Sequence, residues 1–255
     1  MKQLNLKIIE NKKIADRFYK MRLDSVYLAK NSKPGQFIEI KCAERGELLL
    51  RRPLGVHRIF DGGIEVLYEV VGKGTDLLSR KKSGDIVDVI GPIGNGFIVK
   101  QAPAVLVAGG MGVAPLLCLA ETLAKKKIKP HVMIGGKAAS HILCEKEFKK
   151  LGCFVVVSTE DGSKGHKGYV TDLMRHLLMV IKCRVSSVYA CGPHPMLKAV
   201  AHIADSAGVP CQVSMEERMA CGVGVCLGCP VKIKNGGYKM VCKDGPVFDA
   251  SDIAW

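Results

Sequence analysis

The chain has 255 residues, 48% of them hydrophobic and 24% charged, and a formal net charge of +14. Its length exceeds the roughly 100 to 200 residues of one ordinary domain, and its composition excludes a disordered chain. The lysines are spread along the sequence, aromatics make up only 5%, and no nucleic-acid-binding motif is present. The excess charge therefore reads first as a solvated basic surface, and second as a face for an acidic partner or an anionic cofactor.

The start, MKQLNLKIIENKK, lacks the apolar run of a secretory signal, so the cytoplasm is the expected location. Eleven cysteines without an export signal do not make a disulfide scaffold. Seven of them, Cys42, Cys118, Cys144, Cys153, Cys183, Cys191 and Cys211, stand singly and are expected to be small buried hydrophobes.

From Leu4 to Gly96 short alternating segments are separated by glycine or proline turns, with strands predicted at Gln36 to Lys41, Glu65 to Val71 and Ile86 to Ile90. No amphipathic helix longer than about two turns stands out. An antiparallel barrel over residues 1–98 closes such strands without exposed edges. Two stretches in it suit an anion. Arg51-Arg52-Pro53-Leu54-Gly55-Val56 offers guanidinium donors on a proline-stiffened strand. Val70-Val71-Gly72-Lys73-Gly74-Thr75, with the later run from Gly91 to Phe97, offers close backbone approach and a helix beginning near Thr75. Ordinary barrel turns explain these glycines equally well.

The uncharged run from Ala102 to Ala120 is long enough for a membrane span, but Gly109, Gly110, Gly112 and Pro115 break it into strand, turn and helix. Further short strands at His131 to Ile134, Phe154 to Val157 and Ser187 to Ala190 give an α/β parallel-sheet domain over 99–209. The turn Gly109-Gly110-Met111-Gly112 departs from the usual dinucleotide fingerprint, because Gly135-Gly136-Lys137 stands where an acidic residue is expected. It still brings amides and a helix start to a place that suits a pyrophosphate. Lys137 favours a 2'-phosphate and Glu160 with Asp161 oppose one, which leaves NAD and NADP both open. Cys191, at a strand end before Gly192-Pro193, has no neighbouring base and reads as packing beside a bound ring. His194, between prolines, reads as a turn residue.

In the last segment, 210–255, Cys221, Cys226, Cys229 and Cys242 follow the pattern C-x4-C-x2-C-x12-C. They are expected to converge from a tight loop and one later strand. Structural zinc usually takes paired C-x2-C knuckles, whereas C-x4-C-x2-C with a distant fourth cysteine is plant-type 2Fe-2S spacing. Gly222, Gly224 and Gly228 let a loop wrap a cluster with its amides toward sulfur. A zinc-binding interaction module is the alternative from another class.

The order of an Arg-Pro-Leu barrel, GGMGVAP, CGP and a closing cysteine loop resembles the ferredoxin-reductase superfamily. VSMEERMACG at 213–222 and VCKDGPVF at 241–248 narrow the resemblance to electron-transfer subunits of B-type dihydroorotate dehydrogenases, over essentially the whole chain. It implies FAD on the barrel, NAD(H) on the middle domain, and a 2Fe-2S cluster held by the four cysteines. It also implies an FMN-containing catalytic partner in a two-plus-two heterotetramer of pyrimidine biosynthesis. By position, Arg52, Pro53, Leu54 and Gly55 would border the flavin, while Val70, Gly72, Gly74 and Thr75 would meet its ring or phosphates. Gly109, Gly110, Gly112, Pro115, Cys191 and Gly192 would form the nicotinamide side. Relatives commonly carry Ser or Thr where this chain has Gly55. Electron-transfer subunits of ferredoxin:NADP oxidoreductase, sulfite reductase or sulfhydrogenase complexes are close alternatives. Aspartate typically replaces one cluster ligand in the first of these.

Overall fold

The computed structural model describes residues 1–43, 48–100, 103–181 and 185–255. Cys183 and the first residue of the long uncharged run, Ala102, lie outside the described residues.

The first domain is a closed six-stranded barrel. Its strands are β1 (Lys2–Lys13), β2 (Phe18–Asp24), β3 (Phe37–Ile40), β4 (Arg52–Phe60), β5 (Gly63–Glu69) and β6 (Ile86–Ile93), in the order β1-β2-β5-β4-β3-β6. Two short helices, α1 (Val26–Asn31) and α2 (Lys73–Arg80), interrupt the strands. Alternation along the strands turns Leu6, Ile8, Met21, Leu23, Ile38, Ile40, Val56, Ile64, Val66 and Val89 into one dry core. β4 breaks its alternation: the β4/β5 register shifts between Val56 and Arg58, and His57 becomes as fully buried as Val56. Such a bulge re-aims a side chain.

The second domain contains β7 (Ala104–Gly109), α3 (Val113–Lys125), β8 (His131–Gly136), α4 (Glu145–Lys150), β9 (Phe154–Thr159), β10 (His166–Lys167), α5 (Val170–Ile181), β11 (Ser187–Cys191) and α6 (His194–Ser206). They are followed by β12 (Cys211–Ser214), β13 (Pro230–Lys232), β14 (Tyr238–Met240), α7 (Val241–Asp244) and β15 (Val247–Asp249). The sheet order is β10-β9-β8-β7-β11-β12-β15, parallel except for the antiparallel β12/β15 edge. Two strands of the segment expected to stand apart from residue 210 thus complete this sheet. Among the described residues, β13 and β14 form a separate two-stranded ribbon.

The strand order reverses between β7 and β11, which opens a crevice at the carboxyl ends of these strands. Helix α3 covers one face of the sheet with Leu116, Leu117, Leu119 and Leu123. The opposite face packs Val200 and Ala204 of α6 in one core with Cys229, Val231, Val241, Cys242 and Phe248. Among the described residues, no helix is long and apolar enough to cross a membrane.

Candidate redox-cofactor site

Three structural regions bring the expected residues together. The first is β4 with the start of α2. Arg51 is held by the barrel, its Nη2 donating to Asp88 Oδ2 at 2.7 Å and its Nη1 to the Asp88 carbonyl at 2.9 Å. Arg52 has no carboxylate partner of this kind: Nη1 donates to the neighbouring Leu50 and Arg51 carbonyls at 2.7 and 3.2 Å, and the guanidinium bends over the first turn of α2, where a Cβ on Gly74 would come within 2.7 Å of Nε. A cation and a helix N-terminus therefore share one spot, an arrangement that suits a phosphate. The helix starts at Lys73, before Thr75. Thr75 is its third residue, and Oγ1 accepts from the Val71 amide at 3.0 Å and donates to the Gly72 carbonyl at 3.1 Å. It locks the turn that presents Gly72 and Gly74. Leu54 points into the barrel core, so only its backbone faces outward, while Pro53 and Gly55 are half-buried. The Val70 carbonyl accepts two bonds from Arg17, at 2.9 and 3.0 Å.

The second region is the crevice at the reversal of strand order. A cavity of about 690 Å³ is lined by both glycine turns, Gly109-Gly110 and Gly135-Gly136, with Lys137 and Glu160 at its edge. Gly112 carries the tightest contact: any Cβ there would collide with the Cys191 carbonyl, so only glycine lets α3 start against the end of β11. Cys191 is fully buried, and burial raises its thiol far above the usual range, which removes it as a nucleophile. Ser158 Oγ, buried at the end of β9 beside this cavity, has no partner among the described residues. Asp161 is engaged by the Ser163 hydroxyl and amide at 2.6 and 2.9 Å. Met196 of α6 lines the cavity too, and His194 opens that helix instead of forming a turn, its ring 5.5 Å from that of Trp255. A larger cavity of about 840 Å³ between α6 and the C-terminal residues touches neither turn.

Sequence reasoning missed Arg17 and Glu69, which reach this crevice from the barrel, because nothing in their local sequence marks them. Glu216 was legible only as part of a motif. It is exposed just after β12, which ends beside Cys191 of β11.

The third region is the cysteine loop. Cys229 and Cys242 are buried with their sulfurs 3.3 Å apart. Cys221 and Cys226 form the outer pair, the Cys226 amide donating to Cys221 Sγ at 3.5 Å. Cys242 lies on the one-turn helix α7, not on a strand. Backbone amides aim at sulfur throughout: Gly224 at Cys242 Sγ at 3.1 Å, Val223 at Cys221 Sγ at 3.4 Å, and Cys242 at Cys229 Sγ at 3.5 Å. The amide bonds from Cys226 and Val223 hold the Cys221 thiol down at about 6, while burial and the adjacent Cys229 push Cys242 up to about 12. Gly224 donates from a left-handed φ of +80°, a conformation that a side chain would strain. Among the described residues no three His, Cys, Asp or Glu side chains converge on a single ion. Two thiol pairs with amides turned toward them suit a two-iron cluster better than one tetrahedral zinc.

Glu39 of β3 joins the first and third regions. It is buried, packs on Gly222, and neither carboxylate oxygen has a partner among the described residues. Burial raises it to about 7, against the pull of Arg51. By contrast, the glycine run from Gly91 to Phe97 is a joint: the Asn95 amide donates to the Gly245 carbonyl at 2.5 Å and Asn95 Nδ2 to the Asp244 carbonyl at 2.9 Å. It fastens the barrel to the cysteine segment.

A barrel with a cationic strand, a parallel sheet open at its reversal point and a four-thiol loop define an NAD-linked flavin and iron–sulfur oxidoreductase of ferredoxin-reductase fold. Residues 106–202 match the oxidoreductase NAD-binding domain, and residues 216–254 match the iron–sulfur cluster binding domain of dihydroorotate dehydrogenase B. The chain is 41% identical to the dihydroorotate dehydrogenase B (NAD(+)) electron transfer subunit of Caldanaerobacter subterraneus, over 98% of each chain. It is 39% identical to the subunit of the same name from Desulforamulus reducens, over 100% of this chain and 99% of that one. The chain belongs to the family of dihydroorotate dehydrogenase B electron-transfer subunits. A solved NADH-dependent reduced ferredoxin-NADP oxidoreductase, described in terms of flavin-based electron bifurcation, superposes with a TM-score of 0.86 at 33% identity, covering 98% of this chain and 90% of that one. The ferredoxin reductase of a carbazole 1,9a-dioxygenase, 17% identical with a TM-score of 0.68 over 82% of this chain and 67% of its own, shares the fold.

Proposed function

We propose that this chain carries electrons between NAD(H) and an FMN-containing dihydroorotate dehydrogenase catalytic subunit, as a two-plus-two cytoplasmic assembly serving pyrimidine synthesis. The carrying observation is the continuity of the three regions: β4 packs on α3 through Gly55 and Pro115, and Glu39 packs on Gly222 of the cysteine loop. When bound, FAD and a 2Fe-2S cluster supply the conversion of a nicotinamide hydride pair into single electrons, which no side chain here can perform.

The chain's own residues bind and orient. Arg52 and the amides of Gly72 and Gly74 hold the flavin's pyrophosphate. The amides around Gly110 and the start of α3 receive the pyrophosphate of NAD(H), and Cys191 packs beside the nicotinamide. Lys137 and Glu160 line the same crevice with opposite effects on a 2'-phosphate, and the NAD(+) of the relatives' name tips the expectation: NADH should reduce the protein faster than NADPH. Cys221, Cys226, Cys229 and Cys242 hold the cluster, and because Gly222 is buried against Glu39 it is the exposed rim from Val225 to Gly228, not the start of the loop, that faces the catalytic subunit.

Replacing Cys226 by Ser separates the two halves of the reaction. NADH should still bleach the flavin absorbance of the purified variant, while transfer to the co-expressed catalytic subunit is lost. Equal loss of both would show that the cluster serves folding instead, and a colourless zinc protein would overturn the proposal. Gel filtration with light scattering of the co-purified pair tests the stoichiometry.

A further inference from the structure

His57 has a polar ring with no exposure, in a place where barrel alternation calls for an outward side chain. The bulge in β4 turns it toward the second domain, where Nδ1 lies 3.0 Å from the Ala114 carbonyl. A carbonyl only accepts, so Nδ1 carries the proton and Nε2 offers a lone pair. Around Nε2 stand Glu65 Oε1 at 3.7 Å and Cys144 Sγ at 3.9 Å. The nearby charges are paired across the same interface, Lys20 with Glu147 at 2.8 Å and Arg58 with Glu121 at 2.5 Å.

The bond lies at a mechanically important point. Ala114 is in the first turn of α3, directly after the glycine turn that lines the crevice, and Pro115 of that turn packs on Gly55. His57 is two residues beyond Gly55 on the strand that carries Arg52. One imidazole therefore ties the flavin-side strand to the dinucleotide-side helix with a directional bond. Arg58, the next residue of β4, ties the later part of α3 through Glu121, with Nε at 2.7 Å, so the His57 bond is the directional tie at the crevice end of the helix.

We propose that His57 is a positioning residue: by donating from Nδ1 to Ala114 it sets the register of β4 against α3, and so the approach of nicotinamide to flavin. This rests on the reading of β4 and the glycine turn as the flavin and nicotinamide sites. It assigns a role in hydride transfer to a side chain that touches neither group.

The test uses the FAD- and cluster-loaded chain with His57→Leu, His57→Asn and Arg52→Ala. Asparagine places an amide N–H near the Nδ1 position, whereas leucine fills the space without a donor. FAD content, affinity for NADH, the long-wavelength nicotinamide–flavin absorbance and the limiting rate of anaerobic flavin reduction are measured. His57→Leu should keep FAD and bind NADH nearly normally. It should lose the long-wavelength band and be reduced on the order of tenfold or more slowly, because small misplacements at a reacting centre are that costly. His57→Asn should recover most of the rate and the band. Normal rate and band in His57→Leu, or equal loss in the Leu and Asn variants, would overturn the proposal. If His57→Leu does not fold, His57→Gln, whose amide reaches the Nε2 position, replaces it and the same contrast with Asn decides. Arg52→Ala should hold FAD more weakly, on the order of ten- to a hundredfold. If it retains FAD as tightly as the parent, the site reading fails and the proposal fails with it. If it holds FAD more weakly while His57→Leu behaves normally, the proposal alone fails.

Discussion

Arg51 and Arg52 are neighbours of one type with opposite fates. Burial by itself would raise the Asp88 carboxyl, but the hydrogen bonds from Arg51 and Gln3 outweigh it and hold that carboxyl below its usual range. Arg51 is thus part of the barrel, and its loss should lower the melting temperature without freeing flavin. Arg52→Ala should weaken FAD retention by about 1.5 to 3 kcal/mol, the value of a hydrogen bond to a charged group, as read by equilibrium dialysis. The pair Arg-Arg-Pro marked the site in sequence but not which arginine serves it, because that depends on Asp88, 37 residues away. His57 was invisible for the same reason, since a bulge has no periodic signature. Burial lowers its ring to about 3, well under the 6.5 of an unfolded chain. Between these values the unfolded state binds the extra proton, so folding is weakened as pH falls from 6.5 towards 3. Relative to His57→Asn, the parent should lose up to about 1.4 kcal/mol per pH unit in that window. Urea unfolding at pH 7 and pH 5 measures the difference, and parallel losses would place the proton elsewhere.

At the scale of elements, the strand-turn-helix units after Pro103 were legible because a buried strand, a glycine turn and an apolar helix are local patterns. β7, β8, β9, β11 and α3 fall where the sequence put them, within a few residues. The three-residue β15 was not legible. So short a strand has no periodicity, and it is defined only by its antiparallel pairing with β12. Helix α2 was expected to begin near Thr75, but that hydroxyl bonds back to the turn, so the helix begins two residues earlier. Gly112 joins two βα units at their closest approach. Gly112→Ala should force α3 off the end of β11, with overpacking of about 1 to 3 kcal/mol. Calorimetry should show a lowered melting temperature, and NADH titration should show weakened binding at the crevice; an unchanged pair of values would mean that α3 can shift without cost.

At the scale of the whole molecule, the sequence outlined three cofactor regions but not their adjacency. The joints are long-range contacts, among them His57 with Ala114, Arg58 with Glu121, Asn95 with Asp244 and Glu39 with Gly222, and no local pattern encodes them. The net charge of +14 belongs to this scale as well. If the catalytic subunit presents an acidic face, association should slow as salt rises, because the Debye length falls from about 10 Å at 0.1 M to about 3 Å at 1 M. Stopped-flow mixing at the two ionic strengths reads this directly, and a salt-independent rate would point to an uncharged contact.

Cys229 and Cys242 are not confined to a surface loop: they share a dry core with Val213 of β12 and Val200 of α6. A metal that draws these thiols together also closes the hydrophobic seam behind them, so cluster binding energy becomes folding energy for that side of the sheet. Cofactor supply then governs how long the polypeptide survives. In iron-starved cells the chain should be degraded faster than its own barrel residues alone would dictate, and a pulse-chase with and without iron would show the lifetime tracking the metal.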